Sequence, residues 1–230
     1  MSEIDSSLLR DFVRWDVRTW SAALAHWEKS TDWKKVENCL ELGGNEGGLS
    51  LWLALKNKQV VCSDLQGVNE RAEMLHQQHN VSSRIRYQSI DATEIPYENY
   101  FDVIVFKSVI GGVGRGNAIE KQQRVFQEIH KALRPGGRLL FAENLVGSRL
   151  HRKLRSGFVG WGDSWRYVSL SEMNNFLSIF SSKEIFTNGF LATLGRNESQ
   201  RNWLAKMDEH FFNRVLPAEY KYMCYGYAVK

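Results

Sequence analysis

Between residues 8 and 27, apolar side chains return at Val13, Val17, Trp20, Leu24 and Trp27, the three-and-four spacing of a helix that buries one stripe. An amphipathic helix is therefore expected to open the chain. After it the period shortens, and β-rich runs alternate with helical patterns. The runs are 36–42, then 49–55; 60–64, then 69–79; 85–90; 101–106, then 118–133; and 138–144. Such alternation predicts a parallel sheet with helices on both faces. Pro135-Gly136-Gly137 ends the longest helical pattern and turns the chain into its next strand, because proline cannot continue a helix and glycine accepts the conformations that follow. Beyond Asn144 the pattern loosens. Residues 147–167 are rich in glycine, basic residues and tryptophan and read as an insertion. A short helix over 171–180, a strand over 183–187, a helix over 199–212 and a closing strand within 220–229 are expected after it.

The 230 residues are 43% hydrophobic, enough to bury one substantial core, so a single domain over 1–230 is expected. The net charge of +4 is spread along the chain except around Arg149, Arg152, Lys153 and Arg155, which argues against a nucleic-acid partner. Cys39, Cys62 and Cys224 are widely spaced within apolar segments and read as buried thiols of a reducing cytoplasm. The opening MSEIDSSLLRD has acidic residues where a secretory leader needs a basic start. No stretch is apolar for the roughly 20 residues that span a bilayer. A cytoplasmic location without integral membrane association is the expectation, with a homo-oligomer left open.

The most informative stretch is Cys39-Leu40-Glu41-Leu42-Gly43-Gly44-Asn45-Glu46-Gly47-Gly48, which closes the first predicted strand and opens a helix. Glycines there let the backbone pass close to a ligand and permit positive φ, which suits a nucleotide-like cofactor; a tight structural turn is the plain alternative. Asp64 ends the second strand about twenty residues on, where a carboxylate can accept hydrogen bonds from both ribose hydroxyls, or else cap a helix. Asp91-Ala92 follows the third strand, where an acid can accept from an adenine amino group while the Ala92 backbone meets the ring edge, or else serve a turn.

In this order, with Phe101-Asp102-Val103-Ile104 and Leu133-Arg134-Pro135-Gly136-Gly137 following, the stretch 36–144 resembles the class I S-adenosylmethionine-dependent methyltransferases. The resemblance implies a three-layer α/β/α Rossmann-like fold, with a mostly parallel seven-stranded sheet, an antiparallel C-terminal strand and an N-terminal helical extension. It divides the domain into a helical cap (1–34), a cofactor-binding core (35–144) and a substrate-side insertion with closing strands (145–230). The implied cofactor is S-adenosyl-L-methionine, with S-adenosyl-L-homocysteine as product. Glu41 and Gly43 would lie under its methionine portion, within a turn that includes Gly44, Asn45 and Gly47. Asp64 would hold the ribose, Leu65 would pack on adenine, Asp91 and Ala92 would read the ring edge, and Lys107 and Ser108 to Val109 would border the sulfonium. Asn45 departs from the family's pattern, which has glycine there; asparagine tolerates left-handed angles better than most residues. The stretch ELGGNEGGLSLWLAL also resembles methyltransferases of bacterial polysaccharide loci.

Methyl transfer is an in-line displacement at an already activated methyl group, so the protein mainly aligns donor and acceptor and excludes water. The segment Lys107-Ser108-Val109-Ile110-Gly111-Gly112 lacks the Asn/Asp-Pro-Pro-aromatic signature of exocyclic-amine methylation, and no Pro-Cys pair is present for attack on a pyrimidine. A small or carrier-linked polar acceptor is expected, methylated on a hydroxyl oxygen, with a sugar of glycan biosynthesis preferred. N-methylation of a small amine or protein side chain, and a non-catalytic cofactor-binding protein, are the alternatives. A nicotinamide oxidoreductase fits less well, since ELGGNEGG does not match Gly-x-Gly-x-x-Gly. His151 is the candidate general base, with Asp16 as a second catalytic candidate that could orient a hydroxyl. Trp20, Glu143, Asn144, Arg152, Trp165 and Arg166 are candidates for acceptor binding, with Trp15, Trp161, Asp163 and Tyr167 nearby. No metal-ligand spacing is evident, so metal-independent chemistry is expected.

Overall fold

The computed structural model describes residues 6–149, 151 and 165–230. Seven strands form one sheet: β1 (Asn38–Leu42), β2 (Gln59–Asp64), β3 (Ile85–Ser89), β4 (Phe101–Lys107), β5 (Leu133–Asn144), β6 (Ser182–Asn188) and β7 (Met223–Val229). Their order across the sheet is β3-β2-β1-β4-β5-β7-β6. The first five pair in parallel, and β7 runs antiparallel to both β5 and β6. This is the Rossmann-like methyltransferase sheet expected from the sequence.

Apart from Asp102, strand β4 is apolar from Phe101 to Phe106, as a strand covered on both faces requires. Successive residues alternate between two cores. Val103 and Val105 face the cluster of Trp20, Trp27, Leu51 and Trp52, which α2 (Val17–Ser30) and α3 (Gly48–Ala54) supply. Ile104 and Phe106 face Phe126, Ile129 and Phe176, from α6 (Ile119–Ala132) and α7 (Leu170–Phe176). Cys39, Cys62 and Cys224 are buried free thiols. Among the described residues no helix is long and apolar enough to cross a membrane.

The opening pattern folds differently from the single helix expected. It forms α1 (Ser6–Val13) and α2, with Arg14 (φ 71) and Asp16 (φ 47) in the left-handed region between them. Periodicity does not register the break, because Val13, Trp20 and Trp27 remain buried on the same side of it. What holds it lies far away in the chain. The Glu198 carboxylate, at the start of α8 (Glu198–Met207), accepts from the backbone N–H of Asp16 at 3.0 Å and of Val17 at 2.7 Å. Asp16 makes no side-chain cap of its own; it accepts instead from the Tyr222 hydroxyl. α1 then lies on the start of α3, where a Cβ added at Gly48 would come within 2.3 Å of the Phe12 carbonyl oxygen.

Two smaller departures have local causes. β5 begins at Leu133 rather than 138 and carries Pro135 to Gly137 within it, with Gly136 at φ 76 and a register shift opposite Phe101 to Val103. The helix expected over 199–212 stops at Met207 and continues as a π-turn, Asp208–Phe212, whose buried Asp208 accepts from the N–H groups of Phe190, Leu191 and Ala192 at 2.9–3.0 Å.

Replacing Glu198 with alanine leaves the two N–H groups at the α1–α2 break without their acceptor. Glu198→Ala should therefore lower unfolding free energy by about 1–3 kcal/mol in a urea titration. Glu198→Gln, which keeps one accepting oxygen, should lose less; equal stability of all three proteins would show that the break is held by something else.

Candidate active site

A cleft of about 730 Å³ opens at the carboxyl ends of β1, β2 and β4, where the strand order reverses and open α/β sheets place their ligands. Its floor is the turn after β1. Gly43 sits at φ 65, and a Cβ there would meet Val109 Cγ2 at 2.5 Å. Asn45 takes the left-handed conformation at φ 39, so the turn forms with asparagine in place of glycine. Its N–H donates to Asp64 Oδ2 at 3.1 Å, tying the turn to the end of β2. Glu41 lines the cleft and caps α3, accepting from Ser50 N–H at 2.8 Å, the Ser50 hydroxyl at 2.5 Å and Leu49 N–H at 3.3 Å. Burial pushes its carboxyl up to about 7 against the pull of those hydrogen bonds.

One end of the cleft is lined by Asp64, Leu65, Asp91 and Ala92. Leu65 is 60% exposed, an apolar side chain lying open beside two carboxylates. Asp91 Oδ1 accepts from the N–H and hydroxyl of Thr93 at 2.8 and 2.7 Å, so the turn role is real and coexists with its place on the cleft.

The other end is formed where β4 leaves the sheet. Ser108 is held at φ 58, its N–H donating to the Ala142 carbonyl at 2.9 Å and its hydroxyl accepting from Asn144 Nδ2 at 2.6 Å. Behind it, fully buried Glu143 accepts from the N–H groups of Val109 and Ile110, both at 2.8 Å. Burial raises that carboxyl to about 7 as well. Lys107 rests over the rings of Trp20 and Trp15, its Nζ 4.6 and 5.7 Å from their centroids. Trp165 forms the facing wall, seated so closely on the chain that a Cβ at Gly111 would lie 1.7 Å from its Nε1.

The expected residues thus divide into groups. Glu41, Gly43, Gly44, Asn45, Asp64, Leu65, Asp91, Ala92, Lys107, Ser108 and Trp165 line one cleft. Gly47 lies behind it, its carbonyl against His76 Nε2 at 2.8 Å, and so serves the packing of α4 (Glu70–Gln78). Glu143 and Asn144 brace the cleft wall from within the sheet, and buried Trp20 sits under Lys107. Arg166 turns away to Asn117, Gln122 and Glu172. His151 is buried outside the cleft lining. Its Nδ1 accepts from Ser148 N–H at 3.1 Å and its Nε2 meets the Phe190 carbonyl at 2.7 Å, which ties both ring nitrogens into packing. Asp16 is likewise buried at the α1–α2 break, and burial lifts its carboxyl to about 7. Arg152, Lys153, Arg155, Trp161 and Asp163 lie outside the described residues. The sequence reading missed Phe12, Arg14 and Arg115, which also line the cleft. Arg14 is brought there by the helix break and its ion pair with Glu46, neither of which has a periodic signature.

Residues 40–141 match the family model of a methyltransferase domain. The matched stretch runs from β1 into β5 and holds the Gly43–Asn45 turn, Asp64, Asp91 and Lys107. No curated protein sequence matches the chain. Among solved structures, the chain is similar to Haemonchus contortus phosphoethanolamine N-methyltransferase 2 in complex with S-adenosyl-L-methionine. The TM-score is 0.65 at 19% identity, over 92% of this chain and 52% of that one. It is also similar to the mitomycin 7-O-methyltransferase MmcR (0.58, 14%, over 91% and 53%) and to the cyclase SpnF (0.58, 16%, over 91% and 79%). The chain spans about half the length of the first two. At such identities the likeness establishes the fold, and the fold hosts more than one named reaction.

The folded chain keeps three buried carboxyls, Asp16, Glu41 and Glu143, raised to about 7. The folded protein therefore retains protons that the unfolded chain has already released. The stabilisation this gives is complete below the unfolded values near 4 and is lost as pH rises through about 7. The share of these groups should appear as a urea midpoint that falls between pH 5 and 7.5. In Glu143→Gln the fall should be shallower, and an equal or steeper fall would remove Glu143 from the account.

Proposed function

We propose that this chain is an S-adenosylmethionine-dependent methyltransferase that methylates a hydroxyl oxygen of a small or carrier-linked polar acceptor. The observation that carries the reading is the gathering of the Gly43–Asn45 turn, Asp64, Leu65, Asp91, Ala92 and Lys107 on one cleft at the sheet's switch point. The cleft fits the cofactor. Asp64 would accept from the ribose hydroxyls, exposed Leu65 and Ala92 would enclose the adenine, and Asp91 would accept from its amino group. The turn, with no side chain at Gly43 or Gly44, would take the methionine portion. When bound, the cofactor supplies a methyl group activated by a sulfonium. The protein's own residues then position the acceptor and keep water out.

The acceptor would lie at the Lys107 end, between the rings of Trp15 and Trp165 and within reach of Lys107 and Arg115. Two flat aromatic walls with cations at their edges suit a polar, ring-bearing acceptor, and a sugar is the preferred class. Among similar structures, MmcR is named as an O-methyltransferase and the Haemonchus contortus enzyme as an N-methyltransferase.

Isothermal titration with S-adenosylmethionine, S-adenosylhomocysteine and NAD tests the reading. Saturable binding of the two sulfur compounds and none of NAD is expected. Asp64→Ala should weaken S-adenosylmethionine at least tenfold while its thermal melting stays near wild type. Binding of NAD alone would sink the proposal, and an unchanged affinity in Asp64→Ala would remove Asp64 from the ribose.

A further inference from the structure

Lys107 combines three properties rarely found together. Its Nζ lies on two aromatic faces, 4.6 Å from the Trp20 centroid and 5.7 Å from Trp15. It borders the cleft, at the end expected to hold the reacting methyl group. Its Nζ makes no hydrogen bond or ion pair with the described residues, and the half-buried side chain leaves its three donors to the cleft. An aromatic face attracts a cation but leaves those donors unpaired.

The charged groups around it come from every neighbouring element. Asp16 at the α1–α2 break, Glu41 on β1 and Glu143 on β5 all favour its charge. Glu41 and Glu143 already spend their oxygens on backbone N–H groups, and Asp16 gives one oxygen to Tyr222. The second oxygen, Asp16 Oδ1, is buried without a hydrogen-bond partner. Arg14, paired with Glu46, and Arg115 add positive charge to the same cleft. Lys107 is therefore surrounded by carboxyls that can tolerate its charge but do not bind it directly, an arrangement in which either protonation state can exist.

We propose that the Lys107 amine gives up its proton when the sulfonium-bearing cofactor binds, and then acts as the base that takes the proton of the methyl acceptor. This rests on the S-adenosylmethionine reading above. Two positive charges a few ångströms apart in a poorly solvated cleft disfavour each other, and the lysine is the one that can shed its charge to solvent. In the transfer, the acceptor oxygen bonds to the methyl carbon and the carbon–sulfur bond breaks with its electron pair staying on sulfur. The acceptor proton passes to the lone pair on Nζ. The sulfur is then neutral, so the new ammonium no longer faces a second cation, and Asp16, Glu41 and Glu143 stabilise it until it returns the proton to solvent. Burial already lowers the ammonium to about 8 in the ligand-free protein.

Titration calorimetry of the intact chain at pH 8.0, in buffers of differing ionisation enthalpy, counts the protons released. At that pH carboxyls near 7 are almost fully ionised, whereas about half of Lys107 carries its proton. Wild type should release about half a proton with S-adenosylmethionine and far less with S-adenosylhomocysteine, which lacks the positive sulfur. Lys107→Met should bind S-adenosylhomocysteine, which shows that it is folded, and release almost nothing with S-adenosylmethionine. Lys107→Arg, permanently charged, should bind S-adenosylmethionine about tenfold more weakly relative to S-adenosylhomocysteine than wild type does. Equal release with both compounds in wild type, or undiminished release in Lys107→Met, would overturn the proposal while leaving the cofactor assignment intact. Absence of binding by either compound would overturn the cofactor reading itself and this proposal with it.

Discussion

A backbone N–H at the end of a strand or the start of a helix needs an acceptor, and around this sheet buried carboxylates repeatedly supply it. Glu41 receives Leu49 and Ser50; Glu143 receives Val109 and Ile110; Glu198 receives Asp16 and Val17. Asp208 holds the N–H groups of Phe190 to Ala192, and Asp102 those of Glu37 and Asn38, both at 2.8 Å. Hydrogen bonds to an ionised acceptor are among the stronger ones in proteins, and each carboxylate here fixes at least two donors at once. The walls of the cleft inherit their shape from this device. Without Glu143 the exit of β4 is loose, without Glu41 the start of α3 is, and without Glu198 the segment bearing Trp15 loses its hold.

The same arrangement sets the electrostatics. Carboxyls that fasten loops are buried, and burial works against their charge, so protonation near neutral pH becomes part of the structure. Lys107 stands among them with its charge similarly under pressure, against aromatic rings that contribute attraction without hydrogen bonds. A strained backbone residue sits at the same place, Ser108 at positive φ between Lys107 and the Glu143-capped turn.

Much of this was legible in the chain. Alternating periods gave the parallel sheet, and the glycine-rich turn, Asp64 and Asp91 fell on one cleft because each follows a strand's carboxyl end, a position that order alone determines. What the sequence concealed depends on contacts between distant residues. Val13, Val17 and Trp20 keep helical spacing across a break that only Glu198 enforces. Glu143 looks like a residue offered to a ligand until the N–H groups of Val109 and Ile110 are found on it. His151 has the residue type of a base, but its ring nitrogens are committed to Ser148 and Phe190. Gly47 and Gly48 belong to the same run as Gly43, yet they admit His76 and the Phe12 backbone respectively, a distinction between ligand space and packing space that spacing does not encode.

The place of β7 bears on how the chain reaches this state. It follows β6 in sequence yet lies between β5 and β6, so that Asn144 on β5 pairs with Met223 on β7. Until the β6–β7 pair is in position, β5 presents an open edge, and closing it requires contacts across a long stretch of chain. Non-local pairings of this kind incur their loop-closure entropy before any bond rewards them, which slows folding. The buried pair Asp16–Tyr222 and the bond from Trp27 to the Gly226 carbonyl likewise need β7 and the residue before it in place. The helical cap over the cleft and the last strand of the sheet thus share contacts that neither can make alone.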